Sequence, residues 1–134
     1  RITKMKSFFT CIDITLSTPQ PEQLSLCRQH ANKNNGEVVF YGSEEPSCYE
    51  KQNFILYKLK KTKGITDVVF FTINQFCYDK EINIKLMENI ILEKYGLHFA
   101  REDLKFQSIE DLYNFRTEMI SYFHSFKRLN KAQA

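Results

Sequence analysis

Residues 67–73 read Asp67-Val68-Val69-Phe70-Phe71-Thr72-Ile73, with an unbroken apolar run at their centre. β-Branched and aromatic residues favour a strand, and the run is short, as strands are. A strand with one face in water would alternate apolar and polar residues, and this one does not. The stretch is therefore predicted to be a strand of a parallel sheet, covered on both faces.

Working outward from this strand, the same pattern recurs on both sides. Further strands are predicted at Phe8–Ile14, Val38–Tyr41 and Leu97–Ala100. Helices are predicted between and after the strands. The first runs from Pro21 to about Asn35 and is stopped by Gly36, and the second begins at a Ser47–Glu50 capping box. The third runs from Asp79 to Gly96, and the fourth from Ser108 to about Leu129.

Strands that alternate with helices pair in parallel through right-handed crossovers. The prediction is one α/β domain over residues 1–134, a doubly wound three-layer sandwich of flavodoxin-like type. Its sheet is expected to have four mostly parallel strands, followed by a long C-terminal helix over 108–130. Residues 1–6 are expected to be a remnant or disordered, because Met5 could be the natural start.

Composition argues against several classes of function. Lys and Arg number 19 against 16 Asp and Glu, and the net charge of +3 is too small to indicate nucleic-acid binding. No apolar run has the length or flanks of a membrane span or signal peptide. The four cysteines form no Cys-x-x-Cys pair, so we expect reduced thiols, no metal site and a cytoplasmic location. No glycine-rich phosphate loop occurs, so no cofactor is expected.

Ligands of doubly wound sheets bind beyond the carboxyl ends of the strands. Four loops lie there: Leu16–Gln20, Gly42–Pro46, Asn74–Tyr78 and Arg101–Asp103. The predicted ligand-binding residues are the polar members of these loops: Ser17, Thr18, Glu44, Asn74, Gln75, Tyr78 and Glu102. Candidate catalytic groups among them are Ser17, Glu44 and Glu102.

Each candidate has a structural alternative that stays open. Ser17 could be a nucleophile or bind an anion, yet Ser and Thr also favour turns and caps. Glu44 could serve acid/base chemistry or cation binding, or act as an electrostatic cap of the following helix. Glu102 is the more plausible ligand contact near the fourth strand, where His98 is expected to be a satisfied core residue.

Two cysteines lie where a reactive thiol would be useful. Cys77 is in the third predicted site loop, and Cys48 is at a predicted helix start, where a thiolate is stabilised. Neither has a histidine nearby in sequence, and free cysteines more often pack as small hydrophobic groups. The histidines in helices, His30 and His124, have no metal-ligand partner at helical spacing.

The last predicted helix is apolar on more than one face. Such a helix enters a core or docks on a partner subunit, and we expect a homo-oligomer. Its apolar residues are Ile109, Leu112, Phe115, Met119, Ile120, Tyr122, Phe123, Phe126 and Leu129.

The order of these pieces resembles the catalytic domain of serine recombinases (resolvases and invertases). That family follows its first strand with Arg-Val-Ser-Thr, where this chain has Thr15-Leu16-Ser17-Thr18. The family's Leu-Asp-Arg-Leu-x-Arg-Asp stretch corresponds to Ile73–Asp79, and Gly96–Phe99 corresponds to its fourth strand. The resemblance covers about residues 7–105 and implies a resolvase-like fold.

The arginines of the recombinase pattern are missing. Strand exchange uses guanidinium groups to bind the scissile phosphate and to stabilise the developing charge. The matching positions hold Leu16, Gln75 and Tyr78, and no helix-turn-helix domain follows in this sequence. Recombination is therefore not expected.

A second resemblance is to the sporadic carbohydrate cluster family of bacterial surface-polysaccharide gene clusters. It is carried by Pro46–Tyr49, Val69–Thr72 and above all Leu97–Leu104, although the first loop lacks the family's arginine. The resemblance implies a role in O-antigen (lipopolysaccharide) or capsule biosynthesis, as a small enzyme or a binder of a sugar or sugar nucleotide. The alternative is a catalytically silent resolvase-like module for oligomerisation or protein interaction. No nucleic-acid partner and no membrane insertion are expected.

Overall fold

The computed structural model describes residues 5–42, 54–78, 81–118 and 120–121. In chain order the elements are β1 (Lys6–Cys11), α1 (Gln20–Lys33), β2 (Gly36–Tyr41), α2 (Phe54–Lys61), β3 (Asp67–Phe70), a 3-10 helix (Ile73–Phe76), β4 (Cys77–Tyr78), β5 (Glu81–Ile82), α3 (Ile84–Leu92), β6 (Gly96–Phe99), β7 (Leu104–Phe106) and α4 (Ile109–Asn114).

The main sheet has five strands in the order β2-β1-β3-β6-β7. The first four are parallel, while β7 runs antiparallel to β6. The prediction of a mostly parallel α/β sheet is confirmed, and the prediction of four strands is wrong. β7 follows a turn in which Asp103 has a positive φ of 56°. Because β7 has only three residues, its sequence is too short to show the periodicity of a strand.

The central strand is buried on both faces, as its sequence predicts. All four residues of β3 are buried, and successive side chains point to opposite sides of the sheet. Val68 and Phe70 enter the larger core with residues of α2, α3 and α4. Val69 enters the smaller core with Phe8, Cys27 and Ala31 beneath α1.

Two helix ends differ from the predictions. After α1 the left-handed residue is Asn35, with φ of 65°, and Gly36 already belongs to β2. Gly36 is needed for close packing, because a Cβ there would overlap the ring of Phe8. The left-handed residue after α3 is Lys94, with φ of 73°, and Gly96 begins β6.

The helix starts agree with the predictions only in part. Asn83 caps α3 by accepting a hydrogen bond from the Leu86 amide, whereas Asp79 lies outside the described residues. The predicted Ser47–Glu50 capping box also lies outside them. Ser108 caps α4 as predicted, and its Oγ accepts from the Asp111 amide at 3.1 Å.

A single helix from Ser108 to Leu129 is not confirmed. α4 ends at Asn114, with Phe115 as its C-cap, and residues 119 and 122–134 lie outside the described part of the chain. Leu112 is buried, while Tyr113, Phe115 and Ile120 stay exposed. No helix among the described residues is long and apolar enough to cross a membrane.

Candidate functional site

The carboxyl ends of β1, β3 and β6 lie side by side, because these strands are parallel neighbours. Three of the four predicted loops therefore share one edge of the sheet. The fourth, which contains Glu44, lies outside the described residues except for Gly42. The edge is made up of residues 12–19, 71–76 and 100–103.

Glu102 connects the end of β6 to the end of β3. Its Oε2 accepts a hydrogen bond from Oγ1 of Thr72 at 2.5 Å, and its Oε1 accepts from the Ile73 amide at 3.1 Å. The carboxylate thus binds the first amide of the 3-10 helix, which is where a negative charge is favourable. Both oxygens have protein partners, and the carboxylate fixes the edge of the sheet.

Gln75 makes a second bridge between strand ends. Its Nε2 donates to the carbonyl of Cys11 at 3.3 Å, and its Oε1 accepts from the Thr72 amide at 3.1 Å. The second bond belongs to a capping box with the Thr72 hydroxyl. Gln75 is 2% exposed, so the amide faces the interior.

The loop after β1 is held by Asp13 and Gln23. Oδ1 of Asp13 accepts from the amide and the hydroxyl of Thr15. Gln23 is fully buried and exchanges two hydrogen bonds with the backbone of Asp13, and its Nε2 also donates to the Thr18 carbonyl at 2.8 Å. Sequence reasoning missed this buried pair, although Gln23 lies within the predicted helix start.

The remaining predicted residues differ in exposure. Ser17 is exposed and Thr18 is half-buried, while Asn74 is half-buried with its backbone amide on Oγ1 of Thr72. Within the described part of the chain no hydrogen bond uses the Asn74 side-chain amide. The backbone of Tyr78 lies in β4, and its side chain is outside the described residues. A ligand-binding role for this set stays a prediction.

Two of the three thiols described by the structure, those of Cys27 and Cys77, are poor nucleophiles. Burial raises the pKa of Cys77 to about 12, helped by the nearby charge of Glu102. Burial also raises the pKa of Cys27 to about 11, although a hydrogen bond with Thr10 opposes the shift. Both thiols are protonated at neutral pH, and a protonated thiol does not attack. Cys48 lies outside the described residues.

A buried chain of titratable side chains crosses the smaller core. Nε2 of His98 is 2.8 Å from Oδ2 of Asp67, and Nδ1 of His98 is 2.9 Å from Nε2 of His30. These two contacts give both ring nitrogens of His98 a hydrogen-bond partner, in agreement with its predicted core role. Sequence reasoning missed the chain because these partners are 31 and 68 residues apart, and local spacing carries no signal for such pairs.

The environment of this chain fixes its charges. Burial alone would raise the pKa of Asp67, but hydrogen bonds from His98 and Thr66 outweigh it and lower the pKa. Burial, and then the neighbouring His98, lower the pKa of His30 to about 4. At neutral pH Asp67 is therefore a carboxylate and His30 is a neutral imidazole.

Two cavities among the described residues lie away from the Ser17 loop. The larger, about 530 Å³, is at the amino ends of β3 and β6, lined in part by Lys6, Asp67 and Tyr95. The smaller, about 140 Å³, lies between α1 and the β6–β7 turn. The rule that sites form at the carboxyl edge does not identify the larger cavity, whereas the smaller one borders Ala100 at the end of β6. No group of three potential metal ligands occurs within the described ranges.

Comparison with known proteins supports the architecture alone. No family model and no curated protein matches the chain. A solved structure, a resolvase family site-specific recombinase from Streptococcus pneumoniae, is similar with a TM-score of 0.53 and 13% identity, over 98% of this chain and 100% of that chain. At this identity the likeness shows the fold, so the predicted resolvase-like fold is confirmed. None of the comparisons supports the resemblance to the sporadic carbohydrate cluster family.

Proposed function

We propose that this chain is a resolvase-fold domain that does not exchange DNA strands. We further propose that it binds a sugar or sugar nucleotide at the carboxyl ends of β1 and β3. In this role it acts as an accessory protein of bacterial surface-carbohydrate biosynthesis, as a binder or as a small enzyme.

The orientation of Gln75 is the observation that carries the first half of the proposal. This residue stands at a position where the serine recombinase pattern has arginine. Its amide points inward and bonds the Cys11 carbonyl, so the position offers a phosphate neither a cation nor an accessible donor. Losing one donor to the developing charge commonly costs a factor of 10² to 10³ in rate.

The polar groups left at this edge suit a hydroxyl-rich ligand better than a DNA backbone. Ser17 and Thr18 offer hydroxyls, and Asn74 offers an amide without a partner among the described residues. Arg101 is the one cation in the described edge loops, and it already has an interaction within the protein. Affinity for DNA depends on several cations that neutralise phosphates, and this edge lacks them.

The carbohydrate half of the proposal rests on a sequence resemblance. Its most specific piece, Leu97–Leu104, forms β6, the following turn and the start of β7. That turn supplies Glu102 to the edge where the ligand is proposed to bind. The resemblance does not identify a reaction.

Ligand binding is tested by heat denaturation with a panel of nucleoside diphosphate sugars at millimolar concentration. We expect at least one to raise the melting temperature in a saturable way, and Ser17→Ala/Asn74→Ala to abolish the shift. Ser25→Ala, on the exposed face of α1, is the control and should keep it. No shift with any sugar, or an unchanged shift in the double variant, would contradict the proposed site.

Loss of strand exchange is tested separately with supercoiled plasmid DNA. We expect neither nicking nor a covalent protein–DNA adduct after denaturation. An adduct that disappears in Ser17→Ala would overturn the proposal, because it would mean that Ser17 attacks phosphate without the missing arginines.

A second candidate function is self-association through the last helix. Tyr113 in α4 and Ile120 beyond its end are 52% and 40% exposed, and exposed large apolar side chains favour a protein interface. Sedimentation velocity between 5 and 200 μM (about the range of weak self-association) should then show a concentration-dependent dimer. Tyr113→Ser/Ile120→Ser should shift it to monomer, and a wild-type monomer throughout would exclude this function.

A further inference from the structure

The Asp67–His98–His30 chain has a definite hydrogen-bond polarity. Asp67 is ionised, so Nε2 of His98 carries the hydrogen that it donates to Oδ2. In a neutral His98, Nδ1 is then an acceptor, and it must receive its hydrogen from Nε2 of His30. The remaining nitrogen, Nδ1 of His30, therefore presents a lone pair.

This lone pair has no donor within the described part of the chain. His30 is 4% exposed, and its Nδ1 is buried with no hydrogen-bond partner there. Oδ1 of Asp103 lies 3.5 Å from this nitrogen and is a second acceptor. Two acceptors that face each other leave a buried group unsatisfied, which commonly costs about 1–3 kcal/mol. The arrangement calls for a ligand that brings hydrogen atoms.

His30 lines the smaller cleft, and the Asp103 carboxylate is bonded to Lys33, which also lines it. The lining of the cleft is formed by Leu26, Gln29, His30, Lys33 and Ala100, and its volume is about 140 Å³. This corresponds to roughly four or five water molecules at their liquid volume. Leu26 and Ala100 supply an apolar wall, and Nζ of Lys33 holds Asp103 in place at 2.7 Å.

We propose that this cleft binds a vicinal diol, with one hydroxyl donating to Nδ1 of His30 and its neighbour donating to Oδ1 of Asp103. Adjacent hydroxyls on a carbon skeleton supply two donors about as far apart as these two acceptors require. The C–H face of the diol packs on the apolar wall. Such a ligand is neutral, so the ion pair between Lys33 and Asp103 persists.

Charged ligands fit the cleft less well. An anion would be repelled by the Asp103 carboxylate, which lies beside the histidine lone pair. A metal ion would find only two ligand atoms, with the Lys33 ammonium against one of them, and the described residues contain no group of three potential ligands. This second site is distinct from the Ser17 loop, so the inference goes beyond the proposed function.

Acid should close the site by changing the role of Nδ1. A proton taken up there from the cleft converts His30 to an imidazolium. Nδ1 of His30 becomes a donor facing Asp103 and no longer accepts from a hydroxyl. The other groups facing His30, namely Lys33 and Lys105, are cations and oppose this uptake.

The test uses the whole chain with ¹⁵N-labelled histidine and follows the His30 ring nitrogens by NMR at pH 7.5. The probes are cis-1,2-cyclohexanediol and cyclohexanol, which differ by one hydroxyl. We expect a saturable shift of Nδ1 with the diol, and an affinity for cyclohexanol that is roughly tenfold weaker because one hydrogen bond to a carboxylate is missing. Equal affinity for both probes would overturn the proposal.

Variants separate binding from folding. Asp103→Ala changes an exposed side chain and should weaken diol binding about tenfold, whereas Glu37→Ala, an exposed acid on β2, should not. His30→Gln should abolish binding. If the His30→Gln variant fails to fold, the Asp103→Ala variant still tests the proposal, because Asp103 is exposed. Unchanged binding in Asp103→Ala contradicts the inference. Ser17→Ala/Asn74→Ala should leave diol binding intact, so failure of either site is distinguishable.

Discussion

Thr72 and Glu102 join the ends of two neighbouring parallel strands through a 2.5 Å hydrogen bond from Oγ1 to Oε2. The second oxygen of Glu102 receives the Ile73 amide, so both acceptors of the carboxylate are occupied by the protein. A residue predicted from its position to contact a ligand thus stabilises the edge on which a ligand would bind.

Glu102→Gln should therefore destabilise the protein. An amide nitrogen would face one of the two donors, and a hydrogen bond to a charged group would be lost, at a cost of about 1–3 kcal/mol. Urea denaturation followed by circular dichroism measures the change. Glu118→Gln, an exposed residue after α4, is the control and should stay within about 0.5 kcal/mol of wild type. Equal stability of the two variants would show that the Glu102 contacts contribute nothing.

Gly96→Ala should also destabilise the protein, for a steric reason. A Cβ on Gly96 would overlap the Asp67 carboxylate, and the strand pairing of these two residues leaves little room to move. Overpacking of this kind costs about 1–3 kcal/mol. In a double-mutant cycle the Gly96→Ala penalty should be much smaller in an Asp67→Ala background. Additive effects would mean that the carboxylate is not the obstacle.

The stability of the fold should fall as pH decreases from 6.5 towards 4. The pKa of His30 is lowered to about 4 by burial and by His98, while the unfolded chain titrates near 6.5, so the unfolded state binds more protons in this window. His30 therefore contributes stability above pH 6.5 that is lost in acid, at most about 3 kcal/mol. His30→Gln should flatten this part of the stability profile between pH 7 and 4.5. A slope unchanged by the substitution would contradict this account.

The sequence predicts those parts of the fold that have local causes. Val68–Phe71 is apolar without alternation, so a strand buried on both faces follows directly. Ser108 and Asp111 have the spacing of a helix cap, and they form one. In contrast, β7 has three residues and gains its definition from pairing with β6, which no local pattern reveals.

The candidate site was predictable only to the level of its loops. Topology brings Thr72, Gln75 and Glu102 to one edge, as the rule for parallel sheets requires. Whether such a side chain faces a ligand or its own backbone depends on contacts between distant residues, such as Gln75 with Cys11. The same holds for the pair His30 and His98, which becomes visible only after α1 is packed on the sheet.

Alkylation should distinguish Cys27 and Cys77 from an ordinary cysteine. The pKa values of about 11 for Cys27 and about 12 for Cys77 leave very little thiolate at pH 7.5. Compared with the urea-unfolded chain, Cys27 should react with iodoacetamide roughly a hundredfold more slowly and Cys77 roughly a thousandfold more slowly. Peptide mass spectrometry over time gives each rate, with a Cys48→Ser variant as background. The unfolded chain releases these thiol protons at a lower pH than the folded chain does. The free energy of unfolding should therefore fall as pH rises from 9 towards 11. Rapid labelling of Cys77 in the folded protein would contradict this prediction, because it would show that the thiol is accessible and reactive.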